Sequence, residues 1–337
     1  MRTNLNNRAG SLNFGPSSSR GFRGKVEKWL GMVRSKGLSD RHWLGLTLVS
    51  LMLAGCASGP APVTTVGVAV APAAVVKHLP RVGLALGGGA ARGFAHVGVI
   101  QVLEEAGIRP DLVVGTSAGS LVAAIYASGK NGTQLQQIAE DMDEATLTDW
   151  TLPIFSRGVL RGEALARYVN RQVAGQLIEA MPMPLGILAT DLGSGEGILF
   201  RRGDTGSAVR ASSAVPSVFQ PVRIGAREYV DGGLVAPVPV RHARQMGAEL
   251  VIAVDISSGP EGNASDGAFQ VVLQTFSIMA QSISAFELRD ADVVVRPALT
   301  GVRSADFTAR RRSIEAGRAA MLAALPLLKA RLASLMH

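Results

Sequence analysis

From residue 81 onward, short unbroken apolar runs alternate with longer stretches whose apolar residues recur every three or four positions. The runs Arg81–Leu86, Leu112–Val114, Pro184–Asp191, Arg227–Val230, Leu250–Asp255 and Val293–Val295 predict strands buried within a sheet. Gly197–Arg202 predicts a hairpin partner for the strand that begins at Pro184. Between them, Ala90–Ala106 carries Phe94, Val97, Ile100 and Leu103 at helical spacing and stops at Gly107. Similar reasoning predicts helices over Ser117–Ala127, Leu135–Met142, Gly162–Ala180, Ser207–Ser213, Val240–Gly247, Phe269–Leu288 and Ser313–Leu335. Strands that alternate with helices predict an α/β fold with a mainly parallel sheet. No internal repeat is visible.

A different apolar run lies near the N-terminus. Residues 43–55 are uncharged, follow Arg41, and end in Leu53-Ala54-Gly55-Cys56. A helix of that length reaches about 20 Å, short of the ~30 Å hydrocarbon core, so the run reads as a secretory segment and not as a span. Its ending resembles the lipobox of bacterial lipoproteins. The resemblance implies a mature chain that begins at a lipidated Cys56 and is held in a membrane by more than one acyl chain, since one alone holds marginally. Ala57 in the next position implies an outer-membrane lipoprotein facing the periplasm of a Gram-negative bacterium. Residues 1–31 show no periodicity, and Met32–Arg41 would make an ordinary start to a signal peptide, so Met32 is an alternative true start to Met1. Residues 57–79, rich in Pro, Ala, Val and Gly, read as a tether.

Charge changes the picture only by its distribution. The chain of 337 residues has a formal net charge of +8. Residues 1–55 hold nine of the Lys and Arg residues against two acids, whereas the other 282 hold 25 against 24. The body is thus nearly neutral and has no electrostatic footprint for nucleic acid. One cysteine excludes a disulfide scaffold, and a composition 47% hydrophobic excludes a disordered chain.

Three motifs carry chemistry. Gly87-Gly88-Gly89-Ala90-Ala91-Arg92-Gly93 follows a predicted strand and opens a helix, where backbone amides and the helix terminus favour an anion. Arg92 stands where a dinucleotide fingerprint needs its third glycine, and no Gly-Lys-Ser/Thr of a P-loop follows. Gly115-Thr116-Ser117-Ala118-Gly119 is G-x-S-x-G between strand and helix, the setting of a nucleophile elbow. Asp231-Gly232-Gly233 follows a strand and by itself reads as a turn.

In this order the three motifs resemble the patatin-like phospholipase family, over roughly residues 81–300. The resemblance implies a three-layer α/β/α sandwich, with Ser117 as nucleophile and Asp231 as base. It further implies an oxyanion hole at Gly87, Gly88 and Gly89, with Arg92 and Gly93 supporting the loop, Gly115 and Gly119 shaping the elbow, and Gly232 and Gly233 completing the Asp motif. The segment Ala211–Pro221 is also similar to a family block. Two departures are Leu86, where the family often has Asp, and the two residues between Gly89 and Arg92, where plant members have one. The implied division is a leader over 1–55, lipidated Cys56 and tether over 56–79, a catalytic domain over 80–300, and a closing helix of the same domain over 301–337.

A serine hydroxyl needs a base. Here the expectation is direct proton transfer to Asp231, desolvated by an apolar lipid pocket. His96 is expected to pack at the sheet edge and His242 to begin a surface helix. Asp191 and Asp255 are expected to serve turns or caps, Asp141, Asp143 and Glu144 to form a solvated helix end, and Arg310-Arg311-Arg312 to be solvated. Residues 143–161, with Trp150 and Phe155, are the expected lid or membrane-contact loop. No metal-ligand cluster or cofactor motif is found. The activity this implies is serine acyl hydrolysis of phospholipids or related lipid esters. The alternatives are a small-ester carboxylesterase or thioesterase, or a lipoprotein that binds lipid or protein. The sequence leaves oligomeric state open.

Overall fold

The computed structural model describes residues 79–143, 149, 157–257, 267–303 and 306–336. The leader, Cys56, the tether, Glu144, Trp150 and Phe155 lie outside the described residues.

Ten strands and eight α-helices follow in the order β1 (Val82–Leu86), α1 (Ala95–Glu105), β2 (Leu112–Thr116), α2 (Ala118–Ala127), α3 (Gly132–Glu140), β3 (Gly158–Leu160), α4 (Glu163–Gln172), β4 (Leu185–Asp191), β5 (Gly197–Phe200), α5 (Thr205–Ser212), β6 (Ser217–Phe219), β7 (Val222–Ile224), β8 (Arg227–Asp231), α6 (Val240–Gln245), β9 (Leu250–Val254), α7 (Ala268–Glu287), β10 (Val293–Val295) and α8 (Arg310–Leu335), among the described residues. The main sheet runs β10-β9-β1-β2-β4-β8-β7, with β5 also on β4. From β10 to β4 it is parallel; β8, β7 and β5 are antiparallel. The fold is therefore α/β with a mixed sheet whose larger part is parallel.

The two-residue period of the strands decides which helix each side chain meets. Leu84 and Leu86 of β1 pack with α1, α2 and α8, through Ile100, Ala124 and Met321 among others. Ala85 and Val114 point the other way, onto Val240, Ala243 and Met246 of and beside α6, and onto Leu288. Both faces are thus covered, which is why the parallel strands read as unbroken apolar runs. The α8 helix lies on α1, and the approach is close enough that a Cβ on Gly317 would collide with the Ala95 carbonyl.

Two helices differ from the sequence expectation. Ala90–Ala106 is not one helix: Ala90–Phe94 winds as a tight 3-10 turn before α1, and Ala90 sits at φ 50°. Gly93 is held so close to Ala118 that a Cβ there would lie 2.9 Å from the alanine Cβ. The helix expected over Gly162–Ala180 ends at Gln172, because Ala174 and Gly175 take positive φ. The small β3-β6 sheet and strand β7 were not expected; each is three residues long, too short to show a period. The arginines at the start of α8 are also more than solvated. Arg310 donates to the Glu140 carbonyl at 2.9 Å and lies over the Phe94 ring, Arg311 faces Glu140, and Arg312 donates to the Thr300 carbonyl.

Candidate active site

Ser117 stands between β2 and α2 at φ 52°, ψ −123°, a strained conformation for a residue with a side chain. The turn is possible because its flanks lack side chains. A Cβ on Gly115 would strike Gly119, and one on Gly119 would strike the Leu86 carbonyl. The serine amide donates to the Ser212 hydroxyl at 2.9 Å, and that hydroxyl donates to the Leu188 carbonyl at 2.5 Å. Ser212 is fully buried and ties the elbow to β4. It lies in the Ala211–Pro221 block, whose sequence gave no sign of this role. Ser120 and Thr116 complete the frame through bonds to the Ser117 and Ala236 carbonyls.

Strand register brings Asp231 to the same level. Thr116 pairs with Leu188 on one side of β4, and Asp231 pairs with Ala189 on the other. The Asp231 backbone is pinned at both ends, its amide donating to Ala214 and its carbonyl accepting from the Thr190 hydroxyl. Its Oδ1 accepts the Gly233 amide at 2.7 Å, while Oδ2 is buried with no formed hydrogen bond. Burial pushes its pKa up to about 6, against smaller opposing effects of the Gly233 amide and the nearby Ser117 hydroxyl. A carboxylate so placed holds a proton acceptor ready beside a serine, at a basicity far above that of an ordinary aspartate.

The glycine loop packs against the elbow: a Cβ on Gly88 would lie 3.1 Å from that of Ser117. The expected oxyanion assignment needs correction here. The Gly87 amide donates to the Val254 carbonyl at 3.0 Å and the Gly88 amide to the Pro237 carbonyl at 2.9 Å. Both donors are therefore occupied by backbone, and only the Gly89 amide of the three makes no hydrogen bond among the described residues. The Ala118 and Gly119 amides at the start of α2 are likewise left without intrahelical acceptors, whereas Ser120 and Leu121 donate to the Ser117 carbonyl. Arg92 is buried and closes the loop, its amide and Nε both donating to the Gly89 carbonyl at 3.2 Å. Burial lowers its pKa, and nearby Asp255 acts in the opposite direction.

His96 does not sit at the sheet edge. It is fully buried, and its ring bonds the Gly87 carbonyl at 2.8 Å. A carbonyl only accepts, so Nε2 carries the proton and the buried Nδ1 is left without a partner. Burial lowers its pKa to about 4, more than the Gly87 bond and Asp255 raise it. It positions the loop as a neutral imidazole. Because the folded pKa is below that of the unfolded chain, this residue contributes stability above pH 6.5 that is lost as pH falls through about 4. The stability advantage of wild type over His96→Gln should shrink by about 3 kcal/mol between pH 7 and pH 4, measured by denaturant titration.

The remaining expected groups lie apart from these. Asp191 accepts the Gly193 and Ser194 amides and pairs with Arg227; Asp255 accepts the Ser257 amide and pairs with Arg296. His242 is half-buried on α6, a surface helix that exposes Arg241 and Gln245, and burial lowers its pKa. Asp141 is exposed and bonded by Gln137. No cluster of three or more His, Cys, Asp or Glu that could hold a metal occurs among the described residues.

Beside Ser117 opens a cavity of about 320 Å³. Of the residues that line it, only Ser117 and Ser213 have polar side chains; the rest come mainly from the Ala90–Phe94 turn, α2, α3 and the segment around Phe219. Ala90, Gly93 and Ala118 form its wall next to the serine.

Residues 84–244 match the family described as patatin-like phospholipase. An NTE family protein of Mycobacterium tuberculosis is 36% identical over 207 residues, covering 61% of this chain and 57% of that one. Patatin-like phospholipase domain-containing protein 6 of Mus musculus is 33% identical over 192 residues, covering 55% of this chain and 14% of that protein. The chain thus matches about half or less of the length of these relatives. The crystal structure of VipD from Legionella pneumophila superposes with a TM-score of 0.49 at 16% identity, covering 75% of this chain and 67% of that one. Residues 84–244, which span β1 to α6, thus form a patatin-like phospholipase domain.

Proposed function

We propose that the protein hydrolyses carboxylic esters of phospholipids or related lipids through Ser117 and Asp231, without metal or cofactor. The observation that most supports this reading is the strained Ser117 at the wall of an almost wholly apolar cavity, next to a carboxylate whose pKa burial has raised. An acyl chain in that cavity would place its carbonyl carbon beside the serine and exclude water from Asp231.

Asp231 takes the Ser117 hydroxyl proton as Oγ bonds to the ester carbonyl carbon. The carbonyl oxygen becomes an oxyanion, which the Gly89 and Ala118 amides receive; each such donor is worth about 3 kcal/mol in the transition state. The C–O bond to the alcohol then breaks, and the alcohol leaves with the proton from Asp231. Water attacks the acyl-serine, Asp231 takes its proton, and fatty acid and free Ser117 result. The decisive assay is fatty-acid release from phospholipid vesicles, with covalent capture of the nucleophile by a fluorophosphonate. Wild type should release acid and be labelled, and Ser117→Ala should do neither. Cleavage of short esters with intact vesicles would replace the phospholipase reading with a carboxylesterase one. Unchanged release by Ser117→Ala would refute the serine mechanism.

We also propose that the apolar run over 43–55 directs secretion and that Cys56 carries the lipid anchor, on an outer membrane facing the periplasm. The reading is supported by the uncharged run ending at the sole cysteine. Labelled palmitate should enter the wild-type protein in a Gram-negative host and be lost in Cys56→Ser; labelling of both would exclude this anchor.

A further inference from the structure

The α7 helix is the anomaly on the surface. Between Ala268 and Phe286 it has no charged residue, yet Val271, Val272, Ile278, Met279 and Phe286 are 41% to 65% exposed. These residues recur at seven-residue spacing along one side of the helix, so they form a continuous apolar stripe and not scattered exposures. The inner side is anchored, with Ser284, Glu287 and Leu288 buried and Glu287 paired with Arg241.

Two further features indicate what the stripe meets. The hydroxyls of Thr275, Ser277 and Ser282 each donate to the carbonyl four residues earlier, at 2.8, 3.1 and 3.3 Å. The helix therefore satisfies these donors within itself, so this side can leave water without an unpaired hydroxyl. Second, α7 touches the Gly232–Leu234 turn that follows Asp231, so the helix itself lies beside the site. At the far end Arg289 folds over the Phe286 ring at 4.9 Å, an apolar residue capped by a cation that can reach headgroups.

The stretch Gln270–Asp290 is long and apolar enough to cross a bilayer. It cannot do so here, because β9 before it and β10 after it are paired neighbours in one parallel sheet. From this geometry we infer that α7 is a lipid-docking helix that lies in the bilayer interface, sinks its Val272–Met279–Phe286 stripe among the acyl chains, and holds the site against the membrane that contains its substrate. The inference rests on the lipid-ester reading for that last clause alone.

The test places an environment-sensitive fluorophore on Met279→Cys in the full chain carrying Cys56→Ser and Ser117→Ala, so that no hydrolysis alters the vesicles. Thr133→Cys, exposed on α3 across the sheet, carries the same label as control. With phosphatidylcholine–phosphatidylglycerol vesicles, the label at 279 should brighten several-fold and be quenched by lipids spin-labelled on their acyl chains, while the label at 133 should do neither. The apolar run over 43–55 can bring the chain to vesicles unaided. Co-sedimentation with an unquenched label at 279 therefore overturns the inference. Brightening that follows protein concentration without lipid also overturns it, and assigns the stripe to a second copy of the chain. Quenching without hydrolysis by the Ser117 enzyme would leave docking intact and refute only the proposed activity.

Discussion

Asp231→Asn is expected to abolish hydrolysis and, at neutral pH, to make the protein more stable. The carboxylate is the proposed base for both half-reactions, so its loss should lower kcat on the order of 10⁴- to 10⁶-fold. In wild type, kcat/KM should rise as pH passes through about 6, where the carboxyl loses its proton, and level off above. The stability effect has the opposite sign from that of an ordinary salt-bridged aspartate. Its folded pKa is about 6 against a reference of 3.8, so the fold favours the protonated form. That contribution is present below 3.8 and is lost as pH rises through 6, leaving a cost of about 3 kcal/mol at pH 7. Asparagine keeps an acceptor for the Gly233 amide and removes the charge. The variant should thus gain up to about 3 kcal/mol at pH 7 and nothing at pH 3, by denaturant titration. A variant less stable at pH 7 would mean that the ionised carboxylate is not buried at a cost.

His96 shows why wild type alone would hide this. Its stability contribution falls as pH drops from 6.5 towards 4, over nearly the range in which that of Asp231 grows. The two are of similar size and offset each other in the intact protein, so each appears only in a difference against its own variant.

What the sequence could and could not reveal follows from the range of the interactions. Ser117 was legible because strand, G-x-S-x-G and helix are contiguous, and the strain of the elbow is a local demand met by local glycines. The alternation of apolar runs placed β1, β2, β4 and β9 for the same reason. The state of the glycine-loop amides was not legible. Gly87 and Gly88 look identical to Gly89 in sequence, and only the arrival of the Val254 and Pro237 carbonyls, about 150 residues later, separates occupied donors from free ones. Ser212 and His96 were missed likewise, since Ser212 acts through hydrogen bonds to Ser117 and Leu188 from a separate element, and His96 through a turn that folds the Gly87 carbonyl back onto its ring. The α7 helix was read correctly as a helix, but its periodicity cannot distinguish an apolar side facing the core from one facing outward.

Gly119→Ala should separate the geometry of the elbow from the stability of the fold. A methyl at this position would sit on the Leu86 carbonyl, which belongs to β1 and cannot give way without disturbing the centre of the sheet. The helix must instead tilt away from β1, carrying Ser117 with it. Backbone overlap of this kind should cost about 3 kcal/mol or more. Because Ser117 immediately precedes α2, a shift of even about 1 Å should cost on the order of 100-fold in kcat. Leu328→Ala provides the comparison. That side chain is fully buried on α8, far along the sequence from the elbow, and its truncation should cost about 2 to 5 kcal/mol through an unfilled cavity. If both variants are assayed well below their melting temperatures, Leu328→Ala should retain nearly full kcat per folded molecule, whereas Gly119→Ala should not. Equal retention by both would show that the elbow tolerates the methyl and that the close approach of α2 to β1 serves folding alone.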